Sequence, residues 1–513
     1  MRAANFTNLA DIVRPLGGAE RAKPAVVYAG RSLSYADLDC ESNRIANLFL
    51  ARGVAPQDRI AVLAKNSACF VAILFAAAKA GAVLVPLNWR LSPGEIDYIL
   101  GDAKPALLVL EQELEQLVPA ATTASRLVFA DEGRCRFEAD MSLIDDSDPA
   151  IASGGDDTAM IIYTSGTTGH PKGAMIAHRN FVRHCDLDRA PDWMGVAPDE
   201  VCLVVLPLFH VGGLELLLRP LFAGATVILH REVDIDGILE DIGRYKVTMT
   251  GLVPTALHML LQHPRSVEAD FSSLRKFLYG AAPITVGLLK EGLERMRCDF
   301  IQSYGMTEAN GVVVMLAPED HHDRDSPRLR SAGRPTFGAE IRVVDAEDND
   351  VGPGVIGELL VRSSGIMKGY WGRPEATAET IDPDGWLRSG DAGYVDEDGY
   401  VFISDRVKDM ICSGGENIYP AEVENAIYGH PSVAEVAVVG VPDSRWGETV
   451  RAVVVPKPGA TIEADEVIAW ARQRIASYKV PRSIEVVDAL PKNASGKVLR
   501  REVRARVLAQ VKP

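Results

Sequence analysis

Tyr163-Thr164-Ser165-Gly166-Thr167-Thr168-Gly169-His170-Pro171-Lys172-Gly173 is the stretch from which the rest of the chain can be read. It is a run of hydroxyls and glycines that closes on one lysine. Residues 158–163 ahead of it are apolar and β-prone, which predicts a strand that feeds the loop and a chain that turns back over a sheet edge. Such a loop suits phosphate: Gly166, Gly169 and Gly173 let backbone N–H groups approach an anion, the hydroxyls add donors, and Lys172 adds a point charge. It is not the G-x-x-x-x-G-K-[ST] nucleotide loop. Counted from Gly166 the lysine falls in place, but Pro171 replaces the second glycine and Gly173 replaces the magnesium-binding hydroxyl.

The chain is 513 residues long, too many for one ordinary core, so two or three domains are expected. With 47% hydrophobic and 24% charged residues it has the composition of a soluble globular protein. The most apolar span, 71–87, contains Lys79 and Gly81 and reads as a helix followed by a strand, not a transmembrane segment. The N-terminus shows Arg2 and Asp11 without an apolar stretch, so no signal peptide is read and a cytoplasmic location is expected. Cys40, Cys69, Cys135, Cys185, Cys202, Cys298 and Cys412 are scattered, never in C-x-x-C spacing, and read as free thiols. His321-His322 lies in a charged polar stretch and reads as a solvated loop rather than a metal site.

The net charge of −16 argues against nonspecific nucleic-acid binding. Its distribution is uneven. Residues 406–513 hold 16 Lys and Arg against 13 Asp and Glu, net +3, which leaves −19 on the first 405. A slightly basic end on an acidic body suits a cap that closes on a polyanion, although an ordinary solvated surface would look similar.

Along the first half, β-prone and amphipathic runs alternate: strands at 25–28, 31–33, 59–64 and 82–86, with helices at 34–53 and 69–80. Ser34 and Asp37 are spaced as a capping box. The rhythm resumes after the loop with helices from His178, Gly213, Ile235, Pro254 and Thr285 and strands near 201–206, 226–230, 247–251, 276–279 and 299–303. This predicts a large N-terminal α/β body of layered subdomains with buried parallel strands. From about 341 short strands separated by glycine turns predict a small β-barrel-like subdomain. A charged connector follows, and then a small α+β C-terminal domain. The expected division is 1–404, a hinge at 405–409, and 410–513.

Ser303-Tyr304-Gly305-Met306-Thr307-Glu308 follows a predicted buried strand, where α/β sheets place ligands. Tyr304 can stack on a purine, Thr307 can reach a phosphate and Glu308 can hold Mg²⁺, although Glu308 alone would equally suit a helix N-terminus. This segment and the opening loop resemble motifs of the adenylate-forming superfamily, which includes acyl-CoA synthetases, aryl-CoA ligases, luciferases and peptide-synthetase adenylation domains. Four further stretches match that family in its order. Tyr279-Gly280-Ala281-Ala282-Pro283 resembles the segment along the adenine, and Ser389-Gly390-Asp391 the motif whose aspartate binds the ribose. Asp405-Arg406-Val407-Lys408-Asp409 with Gly414-Gly415-Glu416-Asn417 resembles the hinge and the start of a mobile C-terminal domain. Pro491-Lys492-Asn493-Ala494-Ser495-Gly496-Lys497 resembles the loop with the adenylating lysine.

The resemblance implies ATP, Mg²⁺ and coenzyme A as cofactors and co-substrates of a two-step acyl transfer. Thr164, Ser165, Gly166, Thr167, Thr168, Gly169 and Lys172 would grip the departing phosphates, Glu308 the metal, Gly280, Ala281, Ala282 and Tyr304 the adenine, and Asp391 and Arg406 the ribose. Lys497, Thr307, Glu308 and His210 would form the catalytic set, with Lys408 the pivot, Gly414 and Gly415 a pantetheine passage, and Trp446 either a CoA contact or plain packing. Leu206-Pro207-Leu208-Phe209-His210-Val211-Gly212-Gly213-Leu214 would border the acid, with Gly212 and Gly213 leaving space and no arginine beside His210 for a second carboxylate. A small carboxylic acid, medium- or long-chain fatty in first place and aromatic close behind, is the expected substrate. A nucleotide-binding sensor without turnover is the rival of another class. A homodimer stays open, and the exposed basic setting of Lys497 suits a lysine acetyltransferase and deacetylase as partners.

Overall fold

The computed structural model describes residues 6–510 except 15–17, 121, 132–134, 138–140, 165–169, 190–194, 283, 414–415, 444 and 493–497. The chain packs as two compact units, residues 1–340 with 361–387, and residues 341–360 with 388–513. The segment 405–409 lies inside the second.

In the first unit the alternating strands and helices build two sheets. One runs in the order Arg334–Pro335, Gly311–Leu316, Asp299–Met306, Lys276–Gly280, Met249–Leu252, Val201–Val204, Thr226–Leu229, Pro24–Tyr28, Arg31–Ser34. Its strands from Asp299–Met306 to Pro24–Tyr28 pair in parallel. The other runs Gly369–Tyr370, Lys172–Ala177, Thr158–Thr164, Val83–Leu87, Arg59–Leu63, Leu107–Glu111, Ser125–Asp131, Cys135–Phe137, again with a parallel centre. Val83–Leu87 and Leu107–Glu111 are buried along their whole length, as continuous aliphatic runs covered on both faces must be. The helices Ile235–Tyr245, Pro254–Gln262 and Val286–Met296 supply aliphatic side chains to the core against the first sheet, and Pro93–Ala103 to that against the second. Each fully buried Leu, Ile or Phe contributes roughly 1.5–3 kcal/mol relative to exposure.

Local signals act where expected. Ser34 and Asp37 form their capping box at the start of helix Tyr35–Ala51. Helix Ala68–Lys79 is buried throughout, Lys79 included; its ammonium is compensated by Asp39 Oδ1 and Asn43 Oδ1, each at 2.6 Å.

The small β subdomain is present as a four-stranded sheet in chain order, Ala339–Val344, Gly357–Ser363, Leu387–Val395, Val401–Arg406. Two expectations change. His321 is not solvated: it is buried, its Nδ1 donating to the Ala317 carbonyl at 2.8 Å and its Nε2 accepting from the buried Tyr279 hydroxyl at 2.8 Å. Only His322 is exposed. The cysteines are not all free either. Cys69 begins the Ala68–Lys79 helix, Cys135 lies on the edge strand Cys135–Phe137, and the fold brings their Cα atoms to 4.9 Å as a disulfide. A separation of 66 residues hides that approach from any spacing rule.

In the second unit Ile411–Ser413, Glu416–Ile418, Val433–Asp443, Gly447–Pro456 and Ser483–Val486 form a mixed sheet. Helices Pro420–Tyr428, Ala464–Arg472 and Arg500–Gln510 accompany it, and its cores are rich in valine and isoleucine. Among the described residues no helix is long and apolar enough to cross a membrane.

Candidate active site

The opening loop hangs from a hairpin. Thr158–Thr164 pairs antiparallel with Lys172–Ala177, Thr164 opposite Lys172 and Tyr163 opposite Gly173. Ser165, Gly166, Thr167, Thr168 and Gly169 lie outside the described residues. Gly173 serves packing rather than anion approach, since a Cβ there would meet Ile161 Cγ2 at 2.5 Å and the Tyr163 ring at 3.1 Å. Tyr163 donates its hydroxyl to Asp102 at 2.7 Å, and Arg373 holds the other oxygen of Asp102 at 2.7 Å.

Gly280 ends its strand directly opposite Ser303 of the parallel neighbour, so Gly280-Ala281-Ala282 and Tyr304 come side by side at the C-terminal ends of the two strands. Ala281 has φ +63°, a left-handed conformation that a non-glycine residue adopts at a cost, of the kind concentrated at functional sites. Pro283 is outside the described residues. After Tyr304 the chain enters the short turn Thr307–Ala309, which carries Thr307 and Glu308, both half-buried.

Glu308 does not cap a helix dipole in the ordinary sense. Its Oε1 accepts the hydroxyl of Tyr370 at 2.8 Å, and the Tyr370 ring lies 4.9 Å from the Nζ of Lys172. Burial, then the neighbouring Glu308, pushes the Tyr370 phenol up, so it remains a donor at neutral pH. Tyr370 was not among the residues singled out in the sequence, because it stands 62 positions from Glu308.

Could this place hold Mg²⁺? Among the described residues no three His, Cys, Asp or Glu gather as a cage. Mg²⁺ is commonly held by one or two carboxylates plus substrate phosphates, and Glu308 presents an oxygen that Tyr370 does not use. The donor set fits.

His210 precedes helix Val211–Ala223. The loop before it is tied by Asn66, whose amide donates to Leu206 O at 2.9 Å and whose Oδ1 accepts from Leu208 N at 2.9 Å. Burial, then the charge of Arg90, pushes His210 down to about 4, so the imidazole is neutral at physiological pH. Arg90, far from His210 in sequence, adds its charge to that shift. Arg90 stacks 4.8 Å from the Trp89 ring, with Lys65 4.9 Å from the same ring. Gly212 faces open space, whereas a Cβ on Gly213 would lie 2.1 Å from Pro207 O, so Gly213 permits a tight turn rather than a cavity.

The second unit brings Asp391 and Arg406 together: they are opposite in register, and Arg406 Nε lies 2.7 Å from Asp391 Oδ1. Lys408 lies in the short turn Val407–Asp409; Gly414, Gly415 and Lys497 lie outside the described residues. Of the residues on either side of 493–497, Lys492 and Val498 form a bridge and Leu499 N donates to Pro491 O at 2.8 Å. Arg500 then reaches Asp405 at 2.5 Å, Glu424 at 2.5 Å and Asp409 at 3.6 Å. Trp446 is half-buried between the guanidinium groups of Arg445 and Arg482, at 4.7 and 4.9 Å from its ring.

Comparison with known proteins gives the family of the chain. The AMP-binding enzyme family matches residues 18–371, and the AMP-binding enzyme C-terminal domain matches residues 422–497. The chain is 45% identical over 486 residues to a feruloyl-CoA synthase of Amycolatopsis sp, covering 94% of this chain and 95% of the relative. It is 43% identical over 493 residues to the fatty acid--[acyl-carrier-protein] ligase ScoC of Streptomyces coeruleorubidus, covering 95% and 94%. ATP-bound MatB from Rhodopseudomonas palustris superposes with a TM-score of 0.90 at 33% identity, covering 99% of this chain and 100% of that one.

Proposed function

This chain belongs to the AMP-binding enzyme family and is an acid–thiol ligase that uses ATP, Mg²⁺ and CoA; we propose that its acid is a hydrophobic aryl acid with a polar ring substituent. The observation that carries the reading is the neighbourhood of His210. Burial, and after it the charge of Arg90, keeps the imidazole neutral, Phe209 lies against it with ring centroids 4.5 Å apart, and Arg90 stacks 4.8 Å from the Trp89 ring. A neutral imidazole can hydrogen-bond a carboxylate without quenching it as a nucleophile. Flat aromatic surface and a cation suit a substituted ring better than a plain alkyl chain. The 45% relative named feruloyl-CoA synthase supports this order. A medium- or long-chain fatty acid is the second reading, favoured by the open space at Gly212 and by the relative named as a fatty acid ligase.

In the first step the acid's carboxylate attacks the α-phosphorus of ATP, the bond to the β-phosphate oxygen breaks, and pyrophosphate leaves. Two anions must meet, so the residues act by preorganised charge. In our assignment Thr164, Lys172 and the loop between them hold the leaving phosphates. Tyr304 and Gly280-Ala281-Ala282 hold the adenine, Thr307 a phosphate, Asp391 and Arg406 the ribose, and Lys497 the developing charge. Glu308 would hold Mg²⁺, which would supply charge neutralisation there. In the second step the CoA thiolate attacks the acyl carbon and AMP leaves. A lysine at the α-phosphate would obstruct that approach, so 410–513 turns about 405–409 with Lys408 as pivot, which presents Gly414, Gly415 and Trp446 to the thiol. Acetylation of Lys497 would then stop the first step alone.

The test is pyrophosphate release and thioester formation across hydroxylated cinnamates, benzoates and straight-chain acids of medium and long length. The expected outcome is a kcat/KM roughly 10-fold or more in favour of an aryl acid. The reverse order establishes the fatty acid reading.

A further inference from the structure

We propose that Tyr370 is a positioning residue that holds the metal carboxylate Glu308 and the phosphate-loop lysine Lys172 close together while keeping them from pairing. The inference rests on the assignment of Glu308 to the metal.

Three links pin the residue. The strand Gly369–Tyr370 lies antiparallel on Lys172–Ala177, Tyr370 opposite Ala174. On either side Lys368 N donates to Met175 O and Trp371 N to Gly173 O, both at 2.8 Å, while Met367 N donates to Glu308 O at 2.8 Å. The backbone of Tyr370 is further fixed through its N–H on Thr377 Oγ1 at 2.9 Å. At Gly369 φ is +138° and a Cβ would lie 2.6 Å from Thr377 Cγ2, so the close approach to helix Pro374–Thr380 requires glycine. The side chain is 7% exposed.

From this fixed seat one aromatic residue makes two different contacts. Its hydroxyl donates to Glu308 Oε1 at 2.8 Å, which orients the carboxylate while leaving its negative charge whole, because the donor is neutral. Its ring lies 4.9 Å from Lys172 Nζ, an attraction that orients the ammonium without cancelling it. Among the described residues Lys172 and Glu308 form no ion pair with each other. A direct pair would spend both charges on one another, whereas the intervening phenol leaves the carboxylate for a cation and the ammonium for phosphate.

The experiment uses the full chain and measures ATP affinity by calorimetry in Mg²⁺ and in EDTA, with thermal unfolding as a check on folding. Tyr370→Phe keeps the ring and removes the donor. It should reduce the Mg²⁺-dependent gain in ATP affinity roughly 10-fold, the size expected for a hydrogen bond to a charged group, and leave metal-free affinity unchanged. Tyr370→Leu removes the ring as well and should also weaken metal-free ATP several-fold. Equal weakening with and without metal in Tyr370→Phe, or an intact metal gain, overturns the proposal. Glu308→Gln separates the two failures. Loss of the metal gain in Glu308→Gln but not in Tyr370→Phe removes the role of Tyr370 alone, and an intact gain in Glu308→Gln removes the metal assignment and the inference with it.

Discussion

Glu308 and Asp391 are both carboxylates at motif positions, withdrawn from full solvent exposure, yet their partners differ in kind. Glu308 is held by a phenol, so its charge is uncompensated by the contact. Asp391 is held by the Arg406 guanidinium at 2.7 Å, and nearby Asp405 and Glu424 share Arg500. A carboxylate oriented by a neutral donor can still attract a cation. One matched to a guanidinium is electrostatically satisfied and serves to accept hydrogen bonds or to fix geometry. Residue type is shared; the partner decides the chemistry.

The comparison breaks most visibly in parallel substitutions. Glu308→Gln should lower kcat for adenylation by roughly 100-fold and remove its Mg²⁺ dependence, as expected when an electrostatic group at the reacting phosphates is lost. Asp391→Asn should act chiefly on the KM for ATP, by about 10-fold, because the ribose contact we propose for it would contribute mainly uniform binding. Steady-state pyrophosphate release at varied Mg²⁺ and ATP reads both; equal effects on metal dependence would erase the distinction.

A stability experiment tests the paired side. Arg500→Met leaves Asp405 and Glu424 partly buried without their cation, and breaking such a pair costs about 3 kcal/mol. The unfolding midpoint should fall, and Arg500→Lys should recover part of it. An unchanged midpoint would show the cluster to be ornamental.

A pH-dependent effect comes from groups kept neutral chiefly by burial. His178 and His210 are each pushed down to about 4 from 6.5. Between those values the unfolded chain binds more protons than the folded one, so stability falls as pH drops from about 6.5 towards about 4. A thermal midpoint flat over that window contradicts the buried neutral state, and His178→Gln should flatten it in part.

Much of this was legible in one dimension. Alternating runs announced the strands and helices, Ser34 and Asp37 announced a helix start, and the motif residues Lys172, Glu308, Tyr304, Asp391 and Arg406 stood out by type and order. Tyr370 did not, since a tyrosine after a glycine carries no spacing signal toward Glu308. Arg90 sits before a capping box at Ser92 and Glu95, far in sequence from His210. Arg500 looked like one of several basic residues at the end of the chain, and His321 looked solvated because its sequence neighbours are charged.

Local rules see neighbours at helical or strand spacing, so the sequence by itself determined the α/β class and the element order, and its resemblance to the adenylate-forming superfamily implied the chemical inventory of a nucleotide-dependent ligase. Only the tertiary structure decided which donor faces each carboxylate, that Arg90 acts on His210, that Cys69 meets Cys135, and that Gly213 tightens a turn. Those facts depend on contacts between segments tens to hundreds of residues apart, and a contact of that kind is set by how sheets and helices stack, which no local periodicity encodes.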